Sequence, residues 1–283
     1  MLNGCAYILT IDVGNTFIRF GLFAEDSAAA QERPLATCEI TTPSSITADE
    51  ARMRLVQVMG ALAADAGVPG VLVPAAAVLS CVVPALERPW KAALSRTCTG
   101  RVLTVGPGLK TGMPVHYDDP AEIGPDRIAD AVAARAVYGS PCIVIDLGTT
   151  TNIEVIDAHG TFVGGVIAPG LALGARSLSA AAARLPQVEP SAPTHVIGRN
   201  TREAMRSGVV LGEVARIDGM LDMVLAEMRA TKAAGEGDVP IVITGDDAEA
   251  LAALVGHSLT VDDALTLRGL AELYHINQKP RRA

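Results

Sequence analysis

The chain has 283 residues, enough for about two domains, and 49% of them are hydrophobic. Charged residues make up only 19% of the chain, which argues against a largely disordered protein. The formal net charge of −8 argues against an extended nucleic-acid surface, which requires a basic footprint, but it allows a local basic pocket for a phosphate.

The cysteines and the apolar stretches indicate the cellular compartment of the protein. The five cysteines are odd in number, widely spread and without a Cys-x-x-Cys pair: Cys5, Cys38, Cys81, Cys98 and Cys142. They predict free thiols in a reducing compartment rather than disulfides or zinc ligands. The start of the chain lacks a basic targeting segment, and prolines and glycines interrupt the long uncharged stretch 66–86. We therefore expect no membrane association and a cytoplasmic protein.

The first half of the chain opens with strands. The apolar run Tyr7–Val13 predicts a buried strand that enters a tight turn at Gly14, and Phe17–Phe23 predicts the second strand of a hairpin. The further predicted elements are a strand at Leu35–Ile40, a helix at Thr47–Ala66, a strand at Ala75–Leu79, a helix ending near Ser95, a strand at Val102–Val105 and a loop at Gly106–Glu122.

The second half repeats this alternation of strands and helices. A helix is predicted at Pro125–Val137, followed by three strands at Cys142–Ile145, Ile153–Ile156 and Thr161–Ile167. The remaining predicted elements are helices at Gly170–Arg184 and Thr201–Arg229, a strand at Pro240–Thr244, and helices at Ala248–Leu254 and Asp263–Tyr274.

A short motif occurs once in each half, directly after the first strand. It reads Asp-Val-Gly-Asn-Thr at 12–16 and Asp-Leu-Gly-Thr-Thr at 146–150. Two similar α/β halves predict two similar lobes with a central cleft, where ligand sites tend to lie. We place the boundary in the intervening loop, so that residues 1–116 form the N-terminal lobe and 117–283 the C-terminal lobe.

These turns suit phosphate chemistry. Glycine allows a sharp turn and a close approach to a ligand, and the turn N–H groups can form an anion-binding nest. The Asn and Thr side chains add donors, and the aspartate can orient water on Mg²⁺ or hold a cation. A single Asp-x-Gly is more often a plain turn, but two copies at equivalent places favour a functional pair.

Two further segments have both a functional and a plain structural interpretation. Thr244-Gly245-Asp246 could line an adenine pocket, or Asp246 or Asp247 could cap the next helix. Gly124-Pro125-Asp126-Arg127 begins a helix, where the dipole favours an ionised carboxylate that could accept a hydroxyl proton. Arg127 could bind a carboxylate or phosphate, or could be an ordinary solvated arginine.

The ordered set of motifs resembles the type III pantothenate kinases, within the superfamily of sugar kinases, actin and Hsp70 chaperones. The resemblance covers nearly the whole chain and includes, besides the two turns, the segments Ser80–Pro84, Gly106–Gly112, Gly124–Arg127, Gly164–Gly170, Asn200-Thr201, Ser207-Gly208 and Leu265–Tyr274. It implies the actin-like, RNase H-like ATPase fold and ATP-dependent phosphorylation of pantothenate, the first step of coenzyme A biosynthesis.

The resemblance also implies roles for individual residues. Asp126 is then the catalytic base, Asp146 binds a monovalent cation (K⁺ or NH₄⁺), and Asp12 binds Mg²⁺ through water. The implied pantothenate contacts are Tyr117, Gly124, Pro125, Asp126, Arg127 and Thr201. The implied ATP contacts are Asp12, Val13, Gly14, Asn15, Thr16, Phe17, Ile18, Arg19 and Thr149. The family is homodimeric, so we expect a homodimer.

Some positions depart from the family pattern, chiefly on the nucleotide side. Phe17, Thr150 and Asn152 differ from the usual residues, and Asp246 stands where the family has glycine. An alternative function is therefore a catalytically weakened relative that binds the ligand as a regulatory protein. A sugar kinase or polyphosphate phosphatase is a further alternative, against which the acceptor-side motif at 124–127 argues.

Overall fold

The computed structural model describes residues 6–26 and 31–278, so Cys5 lies outside the described residues. Contacts divide the described chain into two compact units. Unit 1 contains the described residues up to Val137 together with those from Ala264 onward, and unit 2 is Tyr138–Asp263. This division does not coincide with the predicted boundary after residue 116, because the segment 117–137 and the last helix both pack in unit 1.

Unit 1 contains five strands and four α-helices among its described residues. In chain order they are β1 Tyr7–Val13, β2 Phe17–Ala24, β3 Ala36–Thr41, α1 Ala48–Asp65, β4 Ala76–Cys81, α2 Pro84–Thr97, β5 Val102–Thr104 and α3 Pro125–Tyr138, and the last helix of the chain, α8, is Leu265–Ile276. The helix α3 begins in this unit and ends at the first residue of unit 2. A 3₁₀ turn at Pro120–Glu122 interrupts the predicted loop before α3.

Unit 2 contains the other strands and helices, all of them within its described residues. They are β6 Cys142–Leu147, β7 Thr150–Ile156, β8 Phe162–Pro169, α4 Leu171–Ala181, α5 Thr201–Arg206, α6 Gly212–Ala230, β9 Ile241–Gly245, α7 Ala248–Ala252 and β10 Thr260–Val261. A π-helical segment, Ser207–Leu211, joins α5 to α6.

The two sheets have the same topology. In unit 1 the strand order is β3-β2-β1-β4-β5, and in unit 2 it is β8-β7-β6-β9-β10. In each sheet the first three strands are antiparallel neighbours along the chain, and the fourth strand runs parallel to the first. The α/β class with two similar halves is therefore confirmed.

Each sheet packs against helices to form its own hydrophobic core. In unit 1, β1 is buried along its whole length and packs with α1 and α2, where Phe20 and Trp90 form an edge-to-face ring contact at 5.7 Å. In unit 2, β6, β7 and β9 pack against α6 and α7. These separate cores explain why the chain forms two units rather than one.

Two predictions of the helices need correction. The single helix expected at Thr201–Arg229 is two α-helices around the π-helical segment, because Gly208 and Gly212 weaken the helix there and the Ser207 hydroxyl bonds the Val196 carbonyl oxygen at 2.5 Å. The helix expected at Gly170–Arg184 ends at Ala181, since Ala182 adopts an extended conformation. None of the described helices has both the length and the apolar character needed to cross a membrane.

Candidate active site

The turn between β1 and β2 is closed by backbone bonds and anchored by β3. The Gly14 N–H donates to the Phe17 carbonyl oxygen at 3.0 Å, and a Cβ on Gly14 would lie 3.0 Å from that oxygen. Just after β3, the Thr42 hydroxyl donates to the Gly14 carbonyl oxygen at 2.7 Å and the Thr42 N–H donates to the Thr16 carbonyl oxygen at 2.9 Å. The turn is thus held at both ends.

Asp12 is buried at the end of β1. It lies beside Ser80 of β4 and opposite Arg19 of β2, and the Ser80 hydroxyl donates to its Oδ1 at 2.7 Å. Burial, and then the negative charge of Asp126, raise the pKa of Asp12 to about 6, although Ser80 and Arg19 oppose the rise. The structure therefore brings two predicted functional carboxyl groups, Asp12 and Asp126, together in unit 1.

Asp126 occupies the first turn of α3. The Arg127 N–H donates to its Oδ1 at 2.8 Å, and burial raises the pKa of the carboxyl group while Arg127 partly opposes that rise. A Cβ on Gly124 would overlap this Oδ1. Gly124 thus leaves the space in which the Asp126 carboxyl group is held against its own helix terminus.

The other sequence-predicted residues of unit 1 lie at different depths. Arg127 is only 5% exposed, so the interpretation as a solvated arginine is wrong. Tyr117 is half-buried in the segment before α3. Val13 and Ile18 are buried in the core of the unit, so that only their backbone could reach a nucleotide. Asn15 and Thr16 are exposed at the tip of the turn.

The second turn, between β6 and β7, is braced from the start of α4. The Gly148 N–H donates to the Thr150 carbonyl oxygen at 2.9 Å, and the Gly170 N–H donates to the Thr149 carbonyl oxygen at 3.0 Å. Gly170 packs so closely that a Cβ there would overlap the carbonyl oxygens of Gly148 and Thr149. The Gly164–Gly170 segment therefore supports the predicted phosphate turn.

Asp146 has neighbours that correspond to those of Asp12. Thr244 of β9 lies beside it, as Ser80 lies beside Asp12, and Asn152 of β7 lies opposite it, where Arg19 lies opposite Asp12. Thr244 and Asn152 are both buried, and the Asn152 Oδ1 has no hydrogen-bond partner among the described residues. Each unit thus places an aspartate between a hydroxyl group and a longer polar side chain.

The remaining predicted positions lie elsewhere in unit 2. Thr201 is the exposed first residue of α5, and Asn200 caps this helix by accepting the Glu203 N–H at 3.0 Å. Asp246 is half-buried and its N–H donates to the Leu147 carbonyl oxygen at 2.6 Å. Asp247, not Asp246, holds the N-cap position of α7, and its side chain makes no capping bond.

Several residues that hold these groups cannot be recognised from the sequence. Ser80 belonged to a recognised segment, but its bond to Asp12 depends on the pairing of strands that are 68 residues apart. Thr42 carried no signal, since a threonine after a strand is common. In the sequence Asn152 is only a departure from the family pattern, and its place opposite Asp146 follows from the hairpin register.

The fold and the paired turns define a class of protein. Solved structures with the same fold include a conserved Baf family protein from Campylobacter jejuni, with a TM-score of 0.56, 18% identity, and coverage of 95% of this chain and 98% of that one. The ethanolamine utilization protein EutJ from Carboxydothermus hydrogenoformans matches with a TM-score of 0.53 and 16% identity, over 94% of this chain and 89% of that one. These likenesses show the fold, a two-unit α/β architecture with one five-stranded sheet in each unit.

Sequence similarity identifies the family within this class. The family model for type III pantothenate kinase matches residues 8–223. Curated relatives named type III pantothenate kinase are 41% identical in Nocardia farcinica (97% of this chain, 99% of the relative) and 38% identical in Koribacter versatilis (97% of each chain). The chain belongs to the type III pantothenate kinase family, as the motifs predicted.

Proposed function

We propose that this protein transfers the γ-phosphoryl group of ATP to the hydroxyl group of pantothenate and so forms 4′-phosphopantothenate for coenzyme A biosynthesis. The observation that carries the proposal is the Asp126 carboxyl group, half-buried at the start of α3 and held by the Arg127 N–H. In a chain of this family, such a group is suited to align the acceptor hydroxyl and accept its proton.

The donor side of the proposal uses both turns. Residues Asp12 to Arg19 bind ATP phosphates, through backbone N–H groups and the exposed side chains of Asn15 and Thr16. Thr149 on the second turn binds phosphate oxygens as well. Fixed turns of this kind favour transfer because phosphoryl transfer depends mainly on positioning and on neutralising charge.

The acceptor side of the proposal uses the residues next to Asp126 in unit 1 together with Thr201 of unit 2. The residues that bind pantothenate in this proposal are Tyr117, Gly124, Pro125, Arg127 and Thr201. The buried Arg127 guanidinium is directed at a polar end of the substrate. Burial of Arg127 supports its assignment to pantothenate binding, because an arginine that is fixed in place loses less freedom when it binds.

In this proposal the active protein is a homodimer.

The residues present fit two kinds of cation. Asp12, whose pKa is raised by burial and by Asp126, suits Mg²⁺ held through water, which would offset that repulsion. Asp146 suits K⁺ or NH₄⁺, and the unpartnered buried Oδ1 of Asn152 opposite it is a second oxygen of the kind that such cations prefer. When bound, these cations reduce the negative charge around the triphosphate.

The test is the reaction itself. Purified protein is incubated with ATP, Mg²⁺ and pantothenate in matched K⁺ and Na⁺ buffers, and phosphopantothenate is measured by mass spectrometry. We expect product in K⁺ and much less in Na⁺. Binding of pantothenate without any product would instead support the alternative of a regulatory protein, which the half-buried Asp246 near the second turn favours.

A further inference from the structure

A buried polar cluster lies behind the second phosphate turn and has no role in the reaction described above. Glu213, in the first turn of α6, is 5% exposed and accepts the Thr151 hydroxyl at its Oε1 at 2.6 Å. Thr151 is itself buried and lies only two residues after Thr149 of the turn. A buried carboxylate is costly unless it is paired and hydrogen-bonded, so this cluster calls for an explanation.

Arg216 connects the same glutamate to the other support of the turn. It lies on the same face of α6, three residues after Glu213, and pairs with the second carboxylate oxygen. The Arg216 guanidinium also donates to the Pro169 carbonyl oxygen at 2.5 Å. The next residue, Gly170, donates its N–H to Thr149. Two routes of contact therefore lead from α6 to the turn, one through Thr151 and one through Pro169 and Gly170.

We propose that Glu213 and Arg216 are positioning residues that fix the shape of the second phosphate turn and so set the affinity for ATP without touching it. The inference rests on the proposed function, because the turn must bind phosphate for its shape to matter. The carboxylate holds the strand that leaves the turn, and the guanidinium holds the segment that packs on the turn. A turn fixed in advance loses less conformational freedom when the nucleotide binds.

Three variants test this inference. Glu213→Gln keeps the size of the side chain and removes the charge that pairs with Arg216. Thr151→Val removes the hydroxyl group and keeps the shape, and the double variant completes a cycle that measures coupling between the two residues. Asp218→Asn is the matched control, since Asp218 lies on the same helix and holds a different backbone group, the Gly256 N–H, at 2.9 Å.

The measurements are calorimetric titration of MgATP, steady-state kinetics and thermal unfolding. We expect Glu213→Gln and Thr151→Val each to weaken MgATP binding by about tenfold, the scale of one hydrogen bond to a charged group. The KM for ATP should rise while the KM for pantothenate stays unchanged. The double variant should lose less than the product of the two single effects, and Asp218→Asn should lower the melting temperature with ATP affinity intact.

A purely structural role gives a different result. In that case Glu213→Gln and Thr151→Val would lower the melting temperature, as the control does, and leave ATP affinity unchanged at a temperature where they are folded, which overturns the inference. If Glu213→Gln does not fold, Thr151→Val alone decides between the two outcomes. Failure of the wild type to bind ATP would instead refute the proposed function.

Discussion

At the scale of single residues, unit 1 concentrates negative charge where a triphosphate is proposed to bind. Asp12 is buried and Asp126 is half-buried, and the charge of Asp126 contributes to the raised pKa of Asp12. The neighbouring donors, the Ser80 hydroxyl and the Arg127 N–H, hold the two carboxyl groups in fixed orientations. Such an arrangement disfavours the ligand-free state at neutral pH and is relieved by a cation or by proton transfer. Charge at these two positions can therefore be tested one residue at a time.

Replacement of Asp126 by asparagine tests the catalytic assignment. The amide keeps the size of the side chain and can still accept the Arg127 N–H, but it cannot accept a proton. We expect kcat to fall by roughly 10²- to 10⁴-fold, the usual loss for an acid–base group, with little change in melting temperature. A well-folded variant with full activity would remove Asp126 from the mechanism.

The raised pKa of Asp12 predicts a pH-dependent stability in the absence of ligand. The carboxyl group ionises near pH 4 in the unfolded chain and at about 6 in the folded protein, so stability falls as pH rises through that window and is constant above it. The Asp12→Asn variant keeps an acceptor for the Ser80 hydroxyl group. Its stability does not fall over this pH range, because the amide does not ionise. Urea unfolding at pH 4 to 8, in EDTA, should show the variant gaining stability over wild type up to about pH 6. A difference that does not change with pH would contradict the shift.

Asp246 offers a test of the proposed ATP binding. A carboxylate about 6 Å from a nucleotide costs ~0.7 kcal/mol at a dielectric constant of ~80 and ~3 kcal/mol at ~20. Asp246→Gly should therefore tighten ATP binding by about threefold to a hundredfold in a calorimetric titration. Asp247→Gly is the control, because it removes the same charge one residue later, from an exposed position with positive φ. Equal effects of the two variants, or none, would show that Asp246 does not face the nucleotide.

At the scale of elements, the sequence predicts the long strands and most of the long helices, but it misses the break in the helix expected at Thr201–Arg229. It predicts the contacts between elements poorly. The run Tyr7–Val13 is mostly apolar, and its strand appears at the predicted bounds. The strand β10 has only two residues and carries no pattern. The bond from Ser80 to Asp12 depends on the register of a parallel pair, which neither segment encodes alone. The sequence therefore predicts the candidate site residues, but it does not predict the neighbouring residues whose hydrogen bonds hold them in place.

The beginning of α3 gives a prediction at this scale. Gly124→Ala places a methyl group where the Asp126 Oδ1 lies, so the carboxyl group must move while the helix remains. We expect kcat to fall by about tenfold to a hundredfold, the cost of a displacement of about 1 Å at a reacting group. Gly106→Ala serves as the control, since a Cβ there meets no atom within 4 Å. Similar kinetics for the two variants would mean that Asp126 tolerates displacement.

At the scale of the whole molecule, two units of one topology carry different chemistry at equivalent places. The aspartate after the first strand is shared, whereas its cross-strand neighbour is a cation, Arg19, in unit 1 and a neutral amide, Asn152, in unit 2. The acceptor motif at 124–127 has no counterpart among the motifs recognised in unit 2. The repeat thus supplies two similar turns, which we propose bind phosphate, and their different cross-strand neighbours fit the separate tasks proposed for the two units.

Unit 1 is assembled from both ends of the chain, and this has a consequence for synthesis on the ribosome. The chain leaves unit 1 after Val137 and returns at Ala264, and α8 then packs Gly269 against Ala129 and bonds the Tyr274 hydroxyl to Glu25 at 2.8 Å. Unit 2 can complete its core first, although domains usually fold in order from the N-terminus. A chain that stops at Asp263 should show hydrogen exchange protection in unit 2 and little in β1 or α3. Because α8 packs on both β1 and α3, we expect the nascent protein to bring Asp12 and Asp126 together only when this last helix emerges from the ribosome.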